Sequence, residues 1–207
     1  MLIFDIGSNL GSYSIEWSKK GKVISVEASP FIFKQLKRKT KTYKNIIPLN
    51  YAVCETNDEL IKLFYCDVHT LSTIDERWLK NAKSRFFDWP KRIVEIDVPT
   101  ITLDILIETY GIPDLIKIDV EGSEYRVLQS LTKKVPMMCL EWVAEWRPEN
   151  ELCIDYASNL GFTKFHIQDC NDEYSYVPKL FDLTTNQCKA WVRDVEDKID
   201  WGMMWFS

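Results

Sequence analysis

Apolar residues gather along the chain in short unbroken runs, and between the runs they recur at helical spacing. The runs are residues 2–6, 23–28, 46–53, 115–118, 137–142 and 162–168. Lack of alternation marks strands covered on both faces, the pattern of a parallel sheet. Segments near 12–19, 31–40, 103–110, 123–131 and 151–160 read as helices. Gly21, Gly111 and Gly161 stand where three of these end, and Ser29-Pro30, Thr102 and Ser123 stand where others begin. Residues 59–65 and 93–98 alternate instead, which predicts half-covered strands outside the main sheet. A short helix is expected at 76–83. The tail from Asn171 to Ser207 is expected to close the sheet as one or two further strands. Strand and helix alternate, with a hairpin-like insertion after the third strand. The prediction is one α/β domain over 1–207, an open and mostly parallel sheet with helices on both faces.

The first strand carries the most informative chemistry. It runs into Asp5-Ile6-Gly7-Ser8-Asn9-Leu10-Gly11, an acid followed by two glycines four positions apart. Glycine lets a ligand approach the backbone, and a helix start offers free N–H groups; Ser8, Asn9 and Ser12 can cap that helix. A dinucleotide loop would read G-x-G-x-x-G and pack against a pyrophosphate, which a carboxylate repels. A ligand with a cationic amino-acid end tolerates the acid, and S-adenosylmethionine (SAM) is such a ligand. Glu27 closes the second strand, placed to hold a ribose diol. The plain alternatives are an ordinary turn with a buried aspartate and a solvated strand-end glutamate.

A second stretch, Asp114-Leu115-Ile116-Lys117-Ile118-Asp119-Val120-Glu121-Gly122-Ser123-Glu124, ends another buried strand in three carboxylates. Clustered acids are costly unless something uses them. The candidate users are the cationic end of the ligand, a substrate hydroxyl, or a divalent metal such as Mg2+. Glu124 is expected to be a solvated acid complementing a helix dipole, whereas Asp119 is expected to act. Glu141 ends the next strand. In a parallel sheet these strand ends share one crevice.

Composition narrows the options. A net charge of −5 over 207 residues argues against non-specific binding to nucleic acid or anionic membranes. No apolar run has the length of a transmembrane helix, and the N-terminal run lacks the flanks of a signal peptide. Cys54, Cys66, Cys139, Cys153, Cys170 and Cys188 are scattered, and read as reduced thiols of a cytoplasmic protein. Only His69 and His166 could supplement them, so no zinc site is expected. The basic residues at 34–41 read as a solvated helix face. The irregular segment 66–92, with His69-Thr70-Leu71-Ser72-Thr73 and Arg85-Phe86-Phe87-Asp88-Trp89-Pro90, is either a substrate lid or an insertion with its own small core.

Taken together, Phe4–Gly11, Val26-Glu27-Ala28-Ser29-Pro30, Thr102-Leu103-Asp104 and Asp114–Glu124 resemble the FkbM family of SAM-dependent methyltransferases over roughly residues 1–140. The resemblance implies a Rossmann-like class I methyltransferase fold with a seven-stranded sheet whose last strand is antiparallel. It also implies methyl transfer from SAM to a hydroxyl of a sugar, glycan or small natural product. On this resemblance Asp5, Gly7, Asn9 and Gly11 form the SAM loop, with Ser8 beside them. Glu27 is the ribose acid, Ala28 and Ala52 adjoin it, and Asp119 lies near the methionine end and the acceptor. His69, Ser72, Glu121 and Glu141 are candidates for the acceptor side. Removal of the acceptor proton falls to His69 or Glu121, with Asp119 positioning. Ala28 departs from the family, where proline is common, and the tail beyond about 145 matches no motif. Two rivals stand beside this reading: a non-catalytic SAM-fold binding subunit and an NAD-dependent oxidoreductase.

Overall fold

A computed structural model describes residues 1–81, 88, 92–169, 181–194 and 201–207. The first half runs β1 (Leu2–Ile6), α1 (Ser12–Ser18), β2 (Lys22–Val26), α2 (Pro30–Thr40) and β3 (Ile46–Leu49). Next come β4 (Ala52–Val53), β5 (Leu60–Cys66), a 3-10 turn at His69–Leu71, α3 (Glu76–Leu79), β6 (Ile93–Ile101) and α4 (Leu103–Tyr110). The second half holds β7 (Leu115–Ile118), α5 (Glu124–Leu128), β8 (Met138–Val143), a 3-10 turn at Ala144–Trp146, α6 (Arg147–Asn159), β9 (Phe165–Asp169), α7 (Thr185–Asp194) and β10 (Trp201–Phe206).

Seven of the described strands form one sheet in the order β3-β2-β1-β7-β8-β10-β9. Pairing is parallel from β3 through β8, and β10 runs antiparallel to both β8 and β9. The strand order reverses between β1 and β7, which opens a crevice at their carboxyl ends. One face packs the larger apolar cluster, with Phe4, Ile24, Ile116, Leu140 and Met204 against Leu103, Val127 and Ile154. The other face packs Ile3, Val23, Leu115 and Trp205 around Trp17 of α1. Unbroken apolar strands are explained by this two-sided cover. Among the described residues no helix is long and apolar enough to cross a membrane.

Several elements differ from the sequence expectation, each for a local reason. The run 46–53 breaks at Asn50, whose Nδ2 donates to the carbonyls of Glu27 and Ala28 at 2.8 and 2.9 Å. Ala52 and Val53 then leave the main sheet and pair with Thr100 and Ile101 of β6. With the antiparallel β5 they make a separate three-stranded sheet, the expected hairpin-like insertion. Helix α6 starts at Arg147, with Pro148 in its first turn, and α5 stops at Leu128. Helix α7 lies in the tail that read as strand, with Cys188 and Val192 buried. Phe31 projects outward from α2 and meets the Tyr65 ring at 5.1 Å. Ser29 and Thr102 cap as expected, donated to by Ile32 and Ile105 N–H. Helix α1 is instead entered through Gly11 at φ +82, with no side-chain cap from Ser8, Asn9 or Ser12. Five cysteines are buried free thiols; Cys170, like every residue of the 85–90 stretch except Asp88, lies outside the described residues.

Gly7 joins the halves. Asp119 N–H donates to Ile6 O at 3.1 Å, and a Cβ on Gly7 (φ +74) would sit 1.7 Å from the Asp119 carbonyl oxygen. Gly161 also has positive φ (+99), but its Cβ would meet only Lys134 Cδ at 3.8 Å. Gly161→Ala is expected to cost about 1–2 kcal/mol of backbone strain. Gly7→Ala adds a backbone collision, and a loss of about 3 kcal/mol or more is expected. Urea unfolding midpoints of the two variants check the ranking.

Candidate functional site

A cleft of about 260 Å³ opens at the carboxyl ends of β1, β2, β7 and β8. One end is built by the loop after β1. Gly7 and Ser8 both donate their N–H to Val26 O, at 3.0 and 2.9 Å, which clips the loop to β2. Asn9 adopts φ +48, and its N–H reaches Glu27 Oε2 at 2.9 Å. Ser29 N–H donates to the other oxygen, Oε1, at 2.8 Å. The Glu27 carboxyl is therefore fixed at the cleft wall. Burial pushes it up to about 7, against the pull of the Ser29 and Asn9 N–H groups. Each oxygen keeps a lone pair for a further donor. Asn9 Oδ1, also at the cleft, is buried with no partner. An orphaned acceptor beside a two-oxygen acceptor fits the hydroxyl-rich edge of a nucleoside. Ala28, Tyr51, Ala52 and Leu63 supply apolar wall nearby. Tyr51 and Leu63 had no motif to announce them; the break at Asn50 and the insertion bring them in.

The structure places Asp5, Ser8 and Gly11 behind this wall and not on it. Asp5 is wholly buried, accepts from Ser14 Oγ at 2.5 Å, and has Oδ1 at 3.8 Å from Lys117 Nζ. Burial raises its carboxyl, and the Lys117 ammonium opposes that rise. Ser8 Oγ is buried without a partner. Gly11 shapes the helix start, where a Cβ would lie 2.6 Å from Leu36 Cδ1.

Acids form the other end. Carboxylate oxygens of Asp119, Glu121 and Glu141 lie within 4.8 Å of one another. Asp119 Oδ2 accepts from the buried Lys117 Nζ at 2.8 Å. Burial alone would lower the Lys117 ammonium, but the Asp119 and Asp5 carboxylates more than offset it. Burial, then the neighbouring Asp119, Glu121 and Glu124 carboxylates, hold Glu141 well above the usual range. Glu121 takes φ +56 in the turn made with Gly122. Glu124 is not a solvated acid: it is buried and accepts the N–H groups of Val120 and Gly122 at 3.1 and 3.3 Å. Burial pushes it up to about 7. Its use is to fold the acid loop on itself, a short-range task that spacing alone does not reveal.

The insertion supplies the facing wall and grips the acid loop. His69, Ser72, Thr73 and Ile74 line the cleft, and His69 Nδ1 is buried without a partner. Thr73 Oγ1 lies 3.2 Å from Ser123 Oγ, so Ser123 links loop to insertion and makes no helix cap. A Cβ on Gly122 would fall 2.8 Å from Trp78, and Trp146 Nε1 donates to Gly122 O at 3.1 Å. The two indoles meet edge to face at 5.5 Å. Trp201, from the start of β10, completes this end of the cleft.

The arrangement is a nucleoside-sized wall continuous with a carboxylate- and histidine-lined chamber. The profile of the methyltransferase FkbM domain matches residues 5–174. A hexuronic acid methyltransferase, AglP of Haloferax volcanii, is 25% identical over 138 residues, covering 63% of this chain and 50% of that protein. The chain thus spans half the length of that curated relative. Precorrin 8W decarboxylase of Methanobacterium thermoautotrophicum superposes with a TM-score of 0.50 at 10% identity, over 100% of this chain and 81% of that one. Precorrin-6y C5,15-methyltransferase of Geobacter metallireducens gives 0.49 at 12% identity, over 100% and 79%. With the family match covering most of its length and the strand order set out above, the chain belongs to the FkbM family of SAM-dependent methyltransferases and carries the class I methyltransferase fold.

Proposed function

We propose that the protein transfers a methyl group from SAM to a hydroxyl of a sugar, glycan or small natural product. The observation that carries this reading is the continuity of the Glu27–Asn9 wall with the chamber of Asp119, Glu121, Glu141 and His69 in one cleft. Glu27 and Asn9 would hold the ribose edge, Tyr51, Ala52 and Leu63 the adenosine face, and Asp119 the ammonium. SAM supplies a methyl group already activated by its sulfonium. The chain's own work is to align an acceptor oxygen and take its proton. His69, through its unpartnered Nδ1, and Glu121 are placed for that, with Ser72 and Glu141 beside the acceptor. The named substrate of the Haloferax relative, a hexuronic acid, supports a carbohydrate acceptor. The acid chamber is also a place for Mg2+, which would orient the acceptor oxygen. A cytoplasmic single domain remains the expectation for the chain. The NAD-dependent reading lacks a G-x-G-x-x-G loop, and a SAM-binding subunit without turnover would show the same wall.

Calorimetric titration with S-adenosylhomocysteine (SAH) is expected to show micromolar binding, and NADH none; the reverse result overturns the cofactor. Ionised Glu27 is the better hydroxyl acceptor and its free-state value is about 7. SAH affinity is therefore expected to be level above pH 8 and to fall up to about tenfold per unit below pH 7. Glu27→Gln should flatten that dependence and weaken binding about 10- to 100-fold. With radiolabelled SAM and an accepted sugar, His69→Ala or Glu121→Gln should lower transfer by about 10²- to 10⁴-fold while SAH affinity stays within about twofold. Full turnover by both variants would remove them as bases, and an EDTA–Mg2+ series reads the metal.

A further inference from the structure

Lys117 stands out in β7, where Leu115, Ile116 and Ile118 are all buried and apolar. Its side chain is 3% exposed. In the sheet it lies between Asp5 of β1 and Cys139 of β8. The ammonium lies 2.8 Å from Asp119 Oδ2, 3.8 Å from Asp5 Oδ1, and 4.9 Å from the centre of the Tyr13 ring, which covers it. Asp5 is fixed in turn by Ser14, whose hydroxyl also meets that of Ser25 at 2.8 Å. Charge is thus carried from the sheet interior to the cleft through three side chains. Only the last, Asp119, lines the cleft; its side chain is 27% exposed. A buried ion pair is commonly replaceable by apolar residues at no loss of stability. A methionine would suit this strand, so the ammonium calls for a use beyond stability.

We infer that Lys117 is a positioning residue for cofactor recognition, one that ties Asp119 Oδ2 to the sheet so that Oδ1 faces the ammonium of the bound cofactor. The inference rests on the SAM-binding reading above. Two carboxyl groups share one lysine, and the sheet contacts hold Asp119 toward the cleft. Asp5, the first acid of the loop motif, acts at two removes: it steadies Lys117 and never reaches the ligand.

The test needs no acceptor. SAH and 5′-methylthioadenosine share the nucleoside and the thioether, and only SAH has the amino-acid end. Lys117→Met is expected to raise the Kd of SAH at least tenfold and to leave that of methylthioadenosine within threefold. Added to Asp119→Asn, it should cause no further loss. Equal weakening of both ligands would show a merely structural role and overturn the inference, as would unchanged or tighter SAH binding. If Lys117→Met does not fold, Asp5→Asn/Lys117→Met removes the cation with its interior partner and should show the same selectivity. Failure of the wild-type protein to bind SAH strikes the cofactor reading itself and is read separately.

Discussion

The contact between Gly7 and the Asp119 backbone is the constraint from which the site follows. The space where any other residue would carry its Cβ is filled by the Asp119 carbonyl oxygen. Two strands distant in sequence can therefore end side by side, each leaving into its own loop. One loop clips back to β2 and presents Asn9 and Glu27; the other turns through Glu121 and Gly122 and presents the acids. Were the strands spread, the Glu27–Asn9 wall and the acid chamber would separate and no longer share one cleft.

Much of this was legible in the residues, because the strand ends of a doubly wound sheet converge whatever the details. The parallel core, Glu27 at the wall and the gathering of Asp119, Glu121 and Glu141 follow from runs, glycines and acids, whereas the antiparallel last strand follows only from the family resemblance. What was not legible depends on single hydrogen bonds or on depth. Asn50 ends β3 early by donating to the Glu27 and Ala28 carbonyls just past the end of β2. Glu124 looks like any first-turn acid until its two N–H donors are seen. Asp5 carries the loop motif yet sits wholly inside, while Ile6 and Gly7 just after it line the cleft. Helix α7 was lost because aromatic residues on both sides of it favour strand.

Electrostatically the site is an acid surface with its counter-charge beneath. Among the described residues, no lysine or arginine lines the cleft, and Lys117 lies in the sheet under Asp119. Burial, and after it repulsion from neighbouring carboxylates, pushes Glu141 and Glu124 upward. A ligand that brings positive charge to this end releases some of that repulsion, and one that brings negative charge adds to it.

The pair of indoles around Gly122 bears on how such an enzyme can be altered. Trp78 occupies the volume that a side chain at 122 would need, and Trp146 holds the same peptide by its carbonyl. The insertion is thus keyed into the acid loop, and not merely laid over it. A chimera that exchanged the Trp78 region between relatives would carry a mismatched key unless residues 119–124 and position 146 travelled with it. Trp78, Gly122 and Trp146 thus form one packing unit, in which a change at one position asks for a matching change at the others.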